Sequence, residues 1–123
     1  MKLDFDDDPS TLLVSAYADG WVSIGERRVE QPCVVAPSRL ITDLLPPALA
    51  ALDQSHMAAI AALEPEIVLL GTGARQVFVD HALTTLLAEQ GAGLEVMDTG
   101  AACRSYNILA GEGRAVVAAL YMI

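Results

Sequence analysis

Glu66-Ile67-Val68-Leu69-Leu70-Gly71-Thr72-Gly73 decides the fold. Four consecutive apolar residues, the first two β-branched, run straight into a Gly-Thr-Gly turn. A short unbroken apolar run bounded by turn residues fits a strand buried on both faces. Downstream the rhythm continues. Asp80 to Gln90 reads as a helix with Ala82, Leu83, Leu86 and Leu87 on one face, and Gly91 follows its end. Leu94-Glu95-Val96-Met97 reads as the next strand. Asp98 or Thr99 then caps a helix running to about Ala110, ended by Gly111 and Gly113. Ala115 to Met122 is a last apolar strand. Strand, helix, strand is a βαβ unit, whose crossover is expected to be right-handed.

Upstream the pattern changes. Residues 38–65 are rich in Ala and Leu and broken by Pro46-Pro47. A helix is expected from about Ser55, which can cap it, to Leu63, because Pro65 cannot continue it. Between Leu12 and Ile24, apolar and polar residues alternate on both sides of Asp19-Gly20. That pattern predicts a β-hairpin with a type I′ turn, in which Gly takes positive φ. Gly25-Glu26-Arg27 is a second turn, and Cys33-Val34-Val35-Ala36 a short strand closed by Pro37. The N-terminal third thus reads as an antiparallel β-meander after a loose start at residues 1–10. The expectation is one α/β domain over residues 1–123.

The composition agrees with a real core. Of 123 residues, 54% are apolar and only 19% charged, the opposite of a disordered chain. Such a balance implies a doubly buried sheet or an exposed apolar patch kept for a partner. The net charge is −9, and the seven basic residues are scattered. Nucleic-acid binders carry a basic stripe, since phosphate contacts supply most of their affinity. Nucleic acid and anionic membrane are therefore not expected as direct partners. No apolar stretch reaches about 18 residues, so no direct membrane insertion is expected. The N-terminus carries Asp4, Asp6, Asp7 and Asp8 rather than a basic and then apolar leader. Cys33 and Cys103 form no CxxC pair and read as free thiols of a cytoplasmic protein.

Several residues could carry chemistry. Gly71-Thr72-Gly73 lies where ligands bind in open α/β sheets, beyond the carboxyl end of a strand. Its backbone N–H groups and nearby Arg75 suit an anion. GxGxxG would need Gly where Gln76 stands, and no Lys-Ser/Thr follows for a P-loop. A tight, closely packed turn is the simpler reading. Asp98-Thr99 ends the next strand, so Thr72, Arg75, Asp98 and Thr99 would line one crevice if the strands are neighbours. Asp98 as a helix cap is the plainer alternative. Cys103, beside Arg104 near a helix N-terminus, has the setting of a lowered thiol pKa. Neither His56 nor His81 is placed to serve it as a base, and cysteine is commonly buried. Arg104, Tyr106 and Asn107 form either a polar patch or a hydrogen-bonded structural network. No catalytic set, metal site or cofactor motif is expected.

Pro65 to Gly73 and Met97 to Leu109, with the Tyr17 to Trp21 and Pro32 to Pro37 segments, resemble an uncharacterised family of small α/β domains of bacteria and archaea, an MTH-type fold. Its eukaryotic relatives include an assembly factor of mitochondrial respiratory complex I. The resemblance spans nearly the whole chain. It implies a three-layer α/β fold with a central mixed sheet and a β-rich N-terminal part. It implies no catalytic residues, and only a candidate common surface at Gly71, Thr72, Gly73, Asp98, Thr99, Cys103, Arg104, Tyr106 and Asn107.

Three functions are in play, in order of expectation. The first is a non-enzymatic interaction or assembly protein with a protein partner. The second is a small-molecule or anion binder at the strand-end crevice, using Arg75 or Arg104. The third is a thiol enzyme built on Cys103, which requires an exposed, low-pKa thiol. A filled crevice would make its polar residues structural.

Overall fold

The computed structural model describes residues 10–123. The loose start expected at residues 1–10 lies almost wholly outside the described residues.

The doubly buried run forms a six-residue strand that is buried along almost its whole length. In chain order the strands are β1 (Val14–Ala18), β2 (Trp21–Ile24), β3 (Arg27–Val29), β4 (Cys33–Ala36), β5 (Arg39–Ile41), β6 (Ile67–Thr72), β7 (Gly93–Met97) and β8 (Val116–Tyr121). The helices are α1 (Gln54–Ala61), α2 (Ala82–Glu89) and α3 (Thr99–Gly111), with a single 3-10 turn at Leu49–Ala51. Strands β1, β2 and β3 form an antiparallel three-stranded sheet. The other five form a mixed sheet in the order β5-β4-β8-β6-β7. Within it β6 runs parallel to both β7 and β8, and β4 is antiparallel to β8.

The fold class is therefore mixed α/β with a central mixed sheet, and the meander stands at the N-terminal side. Three local expectations are corrected. β4 leaves the meander and pairs with β8, because the apolar Cys33–Val35 run finds its match in Ala118–Leu120 far along the chain. The hairpin turn is not type I′. That turn needs positive φ at both central residues, but Gly20 alone has it, at +87°, and Glu64 is the only described non-glycine residue with positive φ. Helix α1 is capped by Asp53, not Ser55. The Asp53 carboxylate accepts from Ser55 N at 2.9 Å and His56 N at 3.4 Å, while His56 Nδ1 accepts from Asp53 N at 3.0 Å.

Side chains alternate cleanly across the five-stranded sheet, as strand geometry requires. On one face Val35, Leu69, Val116, Ala118 and Leu120 pack with the β1–β3 sheet and with Ala102, Cys103 and Tyr106 of α3. On the other, Val34, Val68, Leu70, Val117, Ala119 and Tyr121 pack with Met57 and Ile60 of α1 and with Leu83 and Leu87 of α2. No helix among the described residues is long and apolar enough to cross a membrane.

Candidate functional site

The ends of β6 and β7 do meet. Gly71 stands opposite Met97, which brings the Gly-Thr-Gly turn against Asp98-Thr99. The contact is close because residue 71 has no side chain. A Cβ there would fall 2.9 Å from Thr99 Oγ1 and 3.0 Å from Thr99 Cα. Gly73 then turns the chain at φ +104°. Its N–H donates to Thr99 Oγ1 at 2.8 Å, and that hydroxyl donates to Tyr121 O at 2.6 Å. Gly73 O accepts from Thr99 N at 2.9 Å. Thr99 is thus a buried clasp, 0% exposed, joining β6, β8 and the start of α3. Thr72 does the same for the following loop. Its hydroxyl accepts from Val77 N at 3.1 Å and shares its proton between Arg75 O at 2.6 Å and Met97 O at 3.2 Å. The Asp98 carboxylate caps α3 by accepting from Ala101 N at 2.9 Å. The Arg75 side chain is exposed.

The second group of polar residues faces elsewhere. Asn107, 0% exposed, spends both ends of its amide on one residue of β1. Its Oδ1 accepts from Val14 N at 2.9 Å and its Nδ2 donates to Val14 O at 2.8 Å. The side chain therefore closes a ladder position that no strand fills, and this compensates its poor helix propensity. The Tyr106 hydroxyl donates to Leu12 O at 2.8 Å, and Arg104 Nη1 donates to Tyr17 Oη at 2.6 Å. Arg104, Tyr106 and Asn107 are a structural seam between α3 and β1, the second of the two expectations for them.

Cys103 is sealed in the same core, and burial pushes its thiol up to about 12. Cys33 lies in that cluster too, with burial pushing its thiol up to about 12 against the opposing pull of Arg27. The setting expected for a lowered pKa is overturned. The helix start and Arg104 are present, but exclusion of water outweighs them. A neutral, buried thiol is not a nucleophile.

What sequence reasoning missed lies on the other face. Val77 and Phe78 are 46% and 92% exposed, in the loop between β6 and α2. They border a cleft of about 380 Å³ whose walls include Leu49, Leu52, Val79 and Leu83. A signal was available. Val77-Phe78-Val79 is an apolar triplet with polar Gln76 before it and Asp80 after it, in a stretch that fits neither the strand nor the helix pattern.

Comparison with known proteins completes the picture. Residues 14–121 match the model of a family described as a protein of unknown function (DUF498/DUF598). A "13 kDa major membrane protein" of Francisella tularensis subsp. holarctica is 35% identical over 65 residues, 53% of each chain. The "NADH dehydrogenase [ubiquinone] 1 alpha subcomplex assembly factor 3" of Mus musculus is 30% identical over 114 residues, 91% of this chain and 61% of that protein. The chain thus spans between 53% and 61% of the length of these curated relatives. Among solved structures, a Bordetella parapertussis protein superposes with a TM-score of 0.86 at 36% identity, covering 93% of this chain and 98% of its own. A Bordetella pertussis protein described as an Mth938-like domain has a TM-score of 0.82 at 31% identity, covering 99% and 92%.

Proposed function

This chain belongs to the DUF498/DUF598 family of proteins of unknown function, and from that premise we propose that it is a non-enzymatic interaction protein that helps assemble a multi-subunit complex. One observation carries the reading. The molecule leaves Phe78 standing 92% exposed beside an apolar cleft, while Thr72, Thr99, Cys103, Tyr106 and Asn107 are buried within the fold. An exposed aromatic beside an apolar recess is the usual anchor geometry of a protein interface. The name of the mouse relative supplies the kind of complex, a respiratory NADH dehydrogenase.

The runner-up is an anion or small-molecule site formed by Gly71, Thr72, Gly73, Arg75, Asp98 and Thr99. It would need free donors at the strand end. Against it, the N–H of Gly73 and the hydroxyls of Thr72 and Thr99 already serve partners within the chain. We place the protein's action in the cytoplasm, a reducing setting that suits two free, buried thiols.

Affinity purification of a tagged chain from its host, membranes included, tests the proposal. Mass spectrometry is expected to find subunits of a respiratory complex or other proteins of its assembly. A preparation that brings no such subunit down overturns the assembly role. A strand-end ligand would then announce itself as a rise in Tm, since binding to the folded state stabilises it.

A further inference from the structure

The cleft beside Phe78 has a charge character of its own. Between Arg39 and Arg75 there is no Lys or Arg, and there is none between Arg75 and Arg104. Those two intervals contain the 3-10 turn, α1, the loop after Arg75 and α2, which are the elements that build the cleft and cover this face. Asp43, Asp53, Glu64, Asp80 and Glu89 stand exposed within those intervals. Asp80 lines the cleft and Asp53 directly follows its Leu52 wall. Neither makes an ion pair with Lys or Arg among the described residues. Asp80 accepts from Ala82 N at 2.9 Å, and Asp53 is occupied with Ser55 and His56. Arg75, two residues before Val77, is the nearest cation in sequence.

An apolar recess with Asp80 in its wall and Asp53 next to its Leu52 wall selects its occupant by charge. A second copy of the chain would bring the same acidic rim against itself in a two-fold contact, which is unfavourable. Residues 1–9 carry four Asp against one Lys, so the chain's own N-terminus is disfavoured in the same way. An anionic lipid surface attracts basic clusters and repels this one. What fits is an apolar anchor flanked by cations. From this we infer that the Phe78 cleft docks a basic amphipathic segment of a partner protein, its apolar side seated between Phe78 and the Leu49–Leu52 turn and its Lys or Arg side chains over Asp80 and Asp53. Helix-in-groove recognition has this form. The rim charges would speed encounter and reject acidic sequences, while Phe78 supplies the anchor. This inference names the partner chemistry of the interaction reading above and rests on it.

The test uses two synthetic 15-residue amphipathic peptides, one of leucine and lysine and one of leucine and glutamate in the same pattern. Binding to the full chain is followed by fluorescence anisotropy. The lysine peptide is expected to bind at least tenfold more tightly than the glutamate peptide, and more weakly as salt rises. Phe78→Ser leaves every charge in place, so non-specific attraction to an acidic protein survives it. It is expected to weaken the lysine peptide at least tenfold. Asp80→Asn keeps a helix-capping side chain and is expected to weaken it about threefold, the scale of one screened surface charge pair. Equal binding of the two peptides, or equal binding of the lysine peptide to wild type and Phe78→Ser, overturns the inference. So does binding to vesicles with 30% phosphatidylglycerol that matches the peptide affinity and is lost in Phe78→Ser, which would make the face a lipid site. Capture of respiratory subunits by wild type and Phe78→Ser alike would sink this inference and leave the assembly reading standing.

Discussion

The two faces of the five-stranded sheet are built from the same alternating strands, yet they are finished differently. On one face, α3 and the small sheet close over the core, and the polar side chains that reach it are consumed. Asn107, Tyr106 and Arg104 all end on β1 or the residues just before it. On the other face, α1 and α2 cover an equally apolar core, but the loop between β6 and α2 leaves Phe78 outside it. The difference teaches where to look for function. In this chain most of the polar candidates at the strand ends and on α3 are used up by the fold, and Phe78, at 92%, is the most exposed of the large apolar residues left over, ahead of Ile108 on α3 at 53% and Val77 at 46%.

The largest expected effect tests how completely the α3 face is sealed. Cys33, Cys103 and Tyr106 belong to one core cluster. Burial holds the thiols up from 9.0 to about 12 and pushes the Tyr106 phenol up as well. In the unfolded chain the thiols ionise near their ordinary value. A group whose folded pKa is raised keeps its full stabilisation below the unfolded value and loses it as pH climbs toward the folded one. Urea unfolding is therefore expected to show level stability up to about pH 8. Above about pH 9 each thiol is expected to cost about 1.4 kcal/mol per pH unit. The Cys33→Ala/Cys103→Ala double variant should flatten that limb. Tyr106, pushed up by burial, and Tyr121, on the opposite face and raised to about 12 by its own burial, leave a residual slope. Stability that stays level to about pH 11 in the wild type would mean that this face admits water.

A smaller effect is expected at the seam. Asn107→Ala leaves Val14 N and Val14 O buried without partners. Each orphaned group costs about 1–3 kcal/mol, so a loss of about 2–6 kcal/mol is expected in chemical denaturation. A loss below about 1 kcal/mol would mean that β1 finds other partners, and the seam would no longer distinguish the two faces.

The sequence carried the faces unevenly, for physical reasons. Ile67–Leu70 announced β6, an inner strand of the five-stranded sheet, because a doubly buried strand has a signature of its own. Alternation around Asp19-Gly20 announced the hairpin because register and turn lie within a dozen residues. β5 was missed, since the three residues Arg39–Ile41 are too few to show a period. The partner of β4 was missed because pairing with β8 is decided some 85 residues away. At the strand ends, Thr72 and Thr99 were rightly placed near each other. Whether a hydroxyl faces a ligand or its own backbone depends on what fills the space, and a local pattern does not hold that information. Asn107 likewise gave notice only that something compensates for it. Phe78 gave no notice of its exposure, because a lone apolar triplet shows neither a strand nor a helix period and that exposure is set by the surrounding fold.

The smallest expected effect sharpens the comparison most. Phe78→Ser removes far more apolar surface than Asn107→Ala does, and removing a buried aromatic side chain would cost about 3–5 kcal/mol. The Phe78 side chain, 92% exposed, has almost no burial to lose. Its removal is expected to change unfolding free energy by no more than about 0.5 kcal/mol, measured by the same urea titration. A loss above about 1 kcal/mol would show Phe78 packed against the Leu49–Leu52 turn as part of the α1–α2 core, closing the cleft and erasing the contrast between the faces. A change within the expected limit, paired with the tenfold loss of the lysine peptide, separates binding from folding at a single residue. It would mean that the chain keeps Phe78 exposed without gaining stability from it, as a side chain committed to a partner must be.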